Sequence, residues 1–161
     1  MRRKEREVIN PEEIKDVLNK SFALHLGIND DGHIYVVPVN FGFKVENTGV
    51  VEKYTFYFHG AKDGRKFYLL KNGAQVGFEC EADISLLEGA KACDYSAFYA
   101  SIIGEGKVSL IDDKDEKKSA LNLIMKKACG KDDWDFPDAM LFATAVFKIA
   151  VTDLSCKKHK R

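Results

Sequence analysis

The sequence predicts a mainly β fold with peripheral helices, an antiparallel barrel with its helices packed outside. Three observations lead there. Apolar residues alternate through several runs, clearest at 33–43, 54–58, 74–82 and 95–111. Hairpin-type turns join strands directly, as antiparallel pairing allows, and Asn29-Asp30-Asp31-Gly32 is the strongest of them. Helical signals appear in only three segments, set between the strands rather than alternating with them one for one.

Asn10-Pro11-Glu12-Glu13 opens the first helix with a capping residue, a proline at the first helical position and a glutamate at the third. Ile14, Val17 and Leu18 mark its apolar face, and it ends near Lys20. SFALHLGI then reads as a strand and HIYVVPVNFGF as its hairpin partner, with Tyr35, Val37, Val39 and Phe41 on one side and Ile34, Val36, Pro38 and Asn40 on the other. Proline cannot donate to a ladder, so Pro38 either blunts an edge or leaves backbone groups around it free for a ligand. Asn40, an amide within an apolar run, needs a specific partner.

After a turn at Glu46-Asn47-Thr48-Gly49 comes YTFYFHGAKDGRKFYLL, the stretch from Tyr54 to Leu70. An aromatic strand breaks at His59-Gly60-Ala61 and hands over to a short helix, docked by Phe67 and Leu70 and ended by Asn72-Gly73. Free N–H groups at a helix start, glycines that let a ligand approach, and the charges of Arg65 and Lys66 make this junction a candidate phosphate site; the alternative is a plain strand-to-helix turn with surface basic residues. Alternation sets His59 with Thr55 and Tyr57, away from Tyr54, Phe56 and Phe58, so the imidazole faces a cleft beside the anion site rather than the core. There it would hold phosphate or give a proton to a reduced substrate, unless it only satisfies backbone at a strand end.

AQVGFECEA is the next strand, and Glu79 and Glu81 read as its wet face more readily than as an acid–base pair. A loop is expected over Ile84–Asp94. YSAFYASIIGEGKVSLI follows, in which Gly104 and Gly106 indicate a bulge or a close approach by backbone or ligand. Asp112 to Ala128 forms the clearest helix, with acidic residues at its start and Gly130 past its end. KDDWDFPD is a loop whose Trp134 and Phe136 form a docked lid or part of an interface, and MLFATAVFKIAVTDL is the final strand.

At 161 residues the chain is read as one domain, 1–161, large enough for a sizeable core. Lys+Arg and Asp+Glu are equal at 25 each, which argues against the broad basic field that nucleic-acid binding needs and does little to oppose self-association. No apolar run approaches a membrane span, and the charged MRRKEREVINPEE has no apolar segment behind it, so no membrane role and a cytoplasmic location are expected. The basic residues at the ends, Arg2, Arg3, Lys4 and Arg6, and Lys157, Lys158, His159, Lys160 and Arg161, read as solvated tails. Cys80, Cys93, Cys129 and Cys156 are too dispersed for a metal knuckle and read as reduced thiols; the histidines have no paired-ligand spacing, so no metal is expected.

MRRKERE, YVVPVNFGF, YFHGAKDGRK, SIIGEGK followed by DEKKSAL, and VFKIAVTDLS, in this order across almost the whole chain, resemble the flavin-binding split-barrel proteins related to pyridoxamine 5'-phosphate oxidase, in the nitroimidazole-resistance-like branch. The resemblance implies a six-stranded split β-barrel that forms a homodimer, with FMN in a cleft at the interface. By motif, Pro38, Val39, Asn40 and Phe41 would line the isoalloxazine, His59, Gly60, Ala61, Arg65 and Lys66 would surround the phosphate, and Ser101, Ile102, Ile103 and Gly104 would close the site. The arginine-rich C-terminal signature of the oxidase itself is missing, so oxidation of pyridoxamine phosphate is not expected. Three functions follow from the resemblance: a reductase of a small electron-poor acceptor, such as a nitroaromatic, with a nicotinamide donor and His59 as its catalytic residue; a non-catalytic flavin-binding or redox-sensing protein; or a split-barrel module for haem or a deazaflavin.

Overall fold

The structure, a computed structural model, describes residues 3–49 and 52–159. In chain order these form β1 (Glu7–Val8), α1 (Pro11–Lys20), β2 (Leu24–Asp30), β3 (His33–Val39), β4 (Phe41–Asn47), β5 (Glu52–Ala61), α2 (Arg65–Leu70), β6 (Ala74–Leu87), β7 (Ser96–Ile111), α3 (Lys114–Cys129), α4 (Asp138–Ala143) and β8 (Thr144–His159). The helix boundaries follow from capping chemistry. Asn10 accepts from the N–H groups of Glu12 and Glu13 at the start of α1, Asp113 accepts from Glu116 N at the start of α3, and Gly130 takes the left-handed conformation past the end of α3.

All strand pairs are antiparallel, in the order β3-β2-β6-β7-β8-β5-β4, with β1 beside β8. The two edges of this path, β3 and β4, are separated in the chain only by Asn40. A sheet whose opposite edges are one residue apart has to roll up, and the seam it leaves at Val39–Phe41 is a barrel split rather than a ladder. The expected single strand over 33–43 is therefore two strands, and with the short β1 the count among the described residues is eight rather than six.

Inward positions of every long strand fill the barrel. Phe41, Phe56, Phe58, Phe147, Ile102 and Ile149 are among its fully buried side chains, and Phe58 and Phe147 stack at 5.0 Å between centroids. α1 adds Ile14, Val17 and Leu18 to the same core, and α2 adds Leu70 and Phe67. A second cluster, Ile111, Ala120, Leu121, Ile124, Leu141 and Val146, lies outside the barrel, where α3 and α4 cover β4, β5 and β8. Phe136 packs against it, while Trp134 stays half exposed and is held through its backbone by both ends of the Asn122 amide, at 3.0 and 3.1 Å. α3 lies directly on β4 because Gly42 has no side chain there: a Cβ would come within 2.5 Å of the backbone of Leu123 and Ile124.

Several boundaries differ from the sequence expectation. β6 runs on to Leu87 through a region expected to be loop; the register shifts between Ala82 and Ser85, with Asp83 at positive φ, and this shift breaks the alternation that sequence reading relies on. The expected irregularity between Gly104 and Gly106 is present as a register shift between β7 and β8. Residues 138–143 form α4 rather than the start of the last strand. Lys157, Lys158 and His159 are not a solvated tail but the last residues of β8, paired with Ser101, Ala100 and Tyr99, and the His159 ring packs against Phe98 and Tyr99. Arg2, Lys160 and Arg161 lie outside the described residues. The four cysteines are free, Cys80 and Cys156 buried, their thiols pushed up to about 11 by loss of solvent. Among the described residues no helix is long and apolar enough to cross a membrane.

Gly42→Ala is expected to lift α3 from β4 and lower stability by about 1–3 kcal/mol, the usual cost of overpacking. Denaturant unfolding checks this, and a wild-type midpoint for Gly42→Ala would mean that α3 is not seated on β4 as described.

Candidate functional site

The residues singled out in the sequence fall into three places. Val39, Phe41 and Ile102 point into the barrel and are buried, as alternation requires, which leaves their backbone to face the outside. Pro38 and Ile103 lie on the outside, in one lateral row that runs from Pro38 through His25 and Glu79 to Ile103. Ser101 is half-buried further along β7, and Gly104 is a close-approach position, where a Cβ would meet Asp153 O and the Phe78 ring. The third place is the end of β5.

There the strand runs on through Ala61, so His59, Gly60 and Ala61 are its final residues, paired with Val146, Ala145 and Thr144 of β8, rather than a turn. His59 is exposed on the outer side, opposite to buried Phe56 and Phe58, as alternation requires. One step beyond the Phe41–Phe58 pair, Asn40 comes level with His59, and it too is exposed. The seam of the barrel thus brings Asn40, His59, Gly60 and the start of α2 to one corner.

The two cations of this corner have different surroundings. Arg65 donates from Nε and Nη2 to Asp30 Oδ2, at 2.8 and 2.6 Å, and lies over the Tyr35 ring, so it ties α2 to the β2–β3 hairpin. Lys66 is half-buried; its Nζ sits 3.4 Å from His59 O and 5.7 Å from the centre of the Phe58 ring, and no carboxylate pairs with it among the described residues. Burial pushes its pKa down. A Cβ on Gly60 would meet Lys66 Nζ at 3.1 Å and Cε at 3.2 Å, so glycine leaves the space in which this ammonium lies. Gly64, at positive φ, stands at the N-cap of α2 and offers no side-chain cap. A half-buried cation over a glycine, beside uncapped amides, fits an anionic group; Arg65, next to it in the chain, is engaged by Asp30.

Loss of solvent and, second, the charge of Lys66 push the His59 imidazole below its ordinary pKa. Two further features were not foreseen. His25 Nδ1 lies 3.1 Å from Glu79 Oε2 across β2 and β6, beside Pro38. Lys127 of α3 donates to Ser21 O, covers the Phe41 ring at 4.3 Å, and shares a small cavity with Asn40. Both contacts depend on register and helix placement, and neither leaves a local sequence signal.

The family model for pyridoxamine 5'-phosphate oxidase matches residues 10–158. The chain belongs to this family. Among solved structures, it is similar to a candidate 5-nitroimidazole antibiotic resistance protein from Bacteroides thetaiotaomicron, at 29% identity and a TM-score of 0.77, covering 94% of this chain and 86% of that one. The FAD and heme binding protein from Mycobacterium smegmatis shares the fold at 17% identity and a TM-score of 0.79, over 97% of this chain and 74% of that one. The flavocytochrome Anf3 from Azotobacter vinelandii does so at 20% identity and a TM-score of 0.77, over 100% and 72%. No curated protein sequence matches the chain. With family and fold established, the eight-stranded arrangement is read as a split barrel with peripheral helices.

The folded chain disfavours the His59 imidazolium, so as pH falls the unfolded chain takes up this proton first; the residue lowers stability below about pH 6.5 and has no such effect above it. An NMR titration is expected to give His59 a pKa below 6.5 that rises in Lys66→Met. An unchanged value in that variant would remove Lys66 from the imidazole's surroundings.

Proposed function

We propose that this chain binds FMN and acts as a reductase of a small electron-poor compound, with nitroaromatics as the leading class and a nicotinamide as donor. The observation that carries the reading is Lys66, a half-buried ammonium without a carboxylate partner among the described residues, over Gly60 and beside His59 and the start of α2. A phosphate dianion answers that surplus charge with a charge-assisted hydrogen bond. Membership of the oxidase family supports a flavin as its bearer, and the name of the 29%-identical Bacteroides protein supports a nitro-compound acceptor.

Bound FMN would supply the redox chemistry, and the protein would supply position, hydrogen bonds and exclusion of water. Lys66 and the first amides of α2 hold the phosphate, and Arg65 keeps α2 in place through Asp30 and Tyr35. An anion at Lys66 offsets the charge that depresses the His59 imidazole, which raises its pKa and lets a ring nitrogen keep a proton for the anion or for a reduced acceptor. Pro38, Asn40, Ser101 and Ile103 are assigned to the flavin ring through their outward or partly open placement.

We assign the helix-free outer face to a second copy of the chain, with the flavin cleft at the interface. Ile34 and Val36 are 72% and 61% exposed there, and Gly27 and Gly77, facing Val36 across adjacent strands, leave the surface flat. An apolar face of this kind, unusual on a monomer, supports a self-complementary contact.

Titration with flavin is expected to quench its fluorescence, and Lys66→Glu should weaken FMN much more than riboflavin, which has no phosphate. Equal losses would take the phosphate away from Lys66, and an absorption spectrum without flavin bands would favour haem or a deazaflavin. Anaerobic reduction by NADH or NADPH followed by reoxidation with a nitroimidazole tests the reductase reading against passive binding. Light scattering is expected to give a dimer, converted to a monomer with weaker FMN binding by Val36→Lys; a wild-type monomer that holds FMN tightly would refute the shared cleft.

A further inference from the structure

Past the end of β5 a cavity of 390 Å³ opens between the first turn of α3, α4 and Lys62, within the roughly 300–1,000 Å³ range of small-molecule sites. Three lysines line it, Lys62, Lys114 and Lys117, with Asp112 and Asp138. Lys114 and Asp138 satisfy one another, with Nζ 2.7 Å from the carboxylate oxygens, and this bridge ties α3 to α4 at one side of the opening. Two ammonium groups then stand against the single remaining carboxylate, Asp112.

Lys117 is the unusual member. It is only 7% exposed, yet among the described residues its ammonium makes no hydrogen bond and no ion pair. It lies on the buried side of α3 with Ala120, Leu121 and Ile124, so its stem is packed against the helix-covered face of the barrel while its head lines the cavity. Loss of solvent and then the charge of Lys62 press its pKa down, and Asp112 acts in the other direction. The ammonium itself still reaches solvent through the cavity, but most of its stem is covered and no carboxylate pairs with it among the described residues. Among the described residues Lys62 has no carboxylate partner either; its Nζ lies 4.7 Å from the centre of the Phe142 ring. Phe142, itself 80% exposed, and Leu141 give the cavity an apolar side.

We propose that this cavity is a binding site for a small aromatic anion, with its phosphate or carboxylate on Lys117 and Lys62 and its ring against Phe142, separate from the Lys66 corner. The anion would give Lys117 the partner it lacks, and the exposed phenylalanine would lose its contact with water. Since Lys62 follows directly on the strand that carries His59, occupancy here lies next to the flavin corner without using the same cation.

The test uses phenyl phosphate and benzoate as probes, with benzyl alcohol as the neutral control, titrated calorimetrically into the full chain. At least one of the two anions is expected to bind saturably and benzyl alcohol not to. Lys117→Met should weaken the anion at least tenfold while melting no lower than wild type, because it removes a charge that has no ion pair and keeps the stem volume; Lys117→Arg should retain binding. All probe titrations are run in the Lys66→Glu background, so that the anionic probe is not taken up at the Lys66 corner. The proposal is overturned if neither anion binds at millimolar concentration, or if Lys117→Met binds it as wild type does. It is also overturned if Lys117→Met removes the preference for FMN over riboflavin, since the cavity would then be the flavin's own phosphate pocket. The probe titrations need no flavin, so their outcome is independent of the FMN reading.

Discussion

The passage of the chain from Val39 to Phe41 through the single residue Asn40 is the constraint on which the rest of the molecule depends. It joins the two outermost strands of the sheet, so the sheet must curl until its edges meet. Curling gives the barrel an inside, filled by Phe41, Phe56, Phe58 and Phe147, and leaves an open seam where backbone pairing stops. Asn40, at the seam, faces solvent beside His59 rather than satisfying a ladder. The polar residue in an apolar run is thus explained by where the run breaks.

The outer surface of the barrel divides into two halves with different physics. Over β4, β5 and β8 the outer apolar residues are buried by α3 and α4, and the absence of a side chain at Gly42 sets how close α3 comes. Over β3, β2 and β6 the outer apolar residues stay uncovered, and glycines flatten the surface. A protein that buries one apolar outer face with its own helices and leaves the other bare has an asymmetry that association would remove. The corner at His59 and Lys66 and the cavity at Lys117 both lie toward the helix-covered half, where two lysines are partly drawn from solvent with no ion pair among the described residues.

Charge placement in this chain is consequently more informative than charge content. The net balance of zero conceals cations of different standing. Arg65, Lys114 and Lys148 are matched by Asp30, Asp138 and Glu116, and they hold elements together. Lys66 and Lys117 are drawn from solvent and are not matched in this way. Surface pairs of the first kind contribute little, about 0–1 kcal/mol each, whereas an ammonium partly drawn from solvent loses hydration that no acid replaces. The distinction separates architectural lysines and arginines from candidate binding groups.

Local chemistry determined much of this protein. Asn10-Pro11 and Asp113 with Gly130 set the ends of α1 and α3, alternation assigned Phe56 and Phe58 to the core and His59 to the outside, and Gly104 and Gly106 marked the bulge, because each of these depends on residues within a few positions. The resemblance of ordered motifs along the chain was enough for the family. Only the tertiary structure decided the rest. The break at Asn40 follows from closure of the whole sheet, the extension of β6 from pairing with β7 past a register shift, and the strand state of Lys157 and Lys158 from pairing with Ser101 and Ala100, residues more than fifty positions away. The same holds for the difference between Arg65 and Lys66, adjacent and alike in sequence: one meets Asp30 across the hairpin and the other pairs with no acid among the described residues, because the turn of α2 sends neighbouring side chains in different directions.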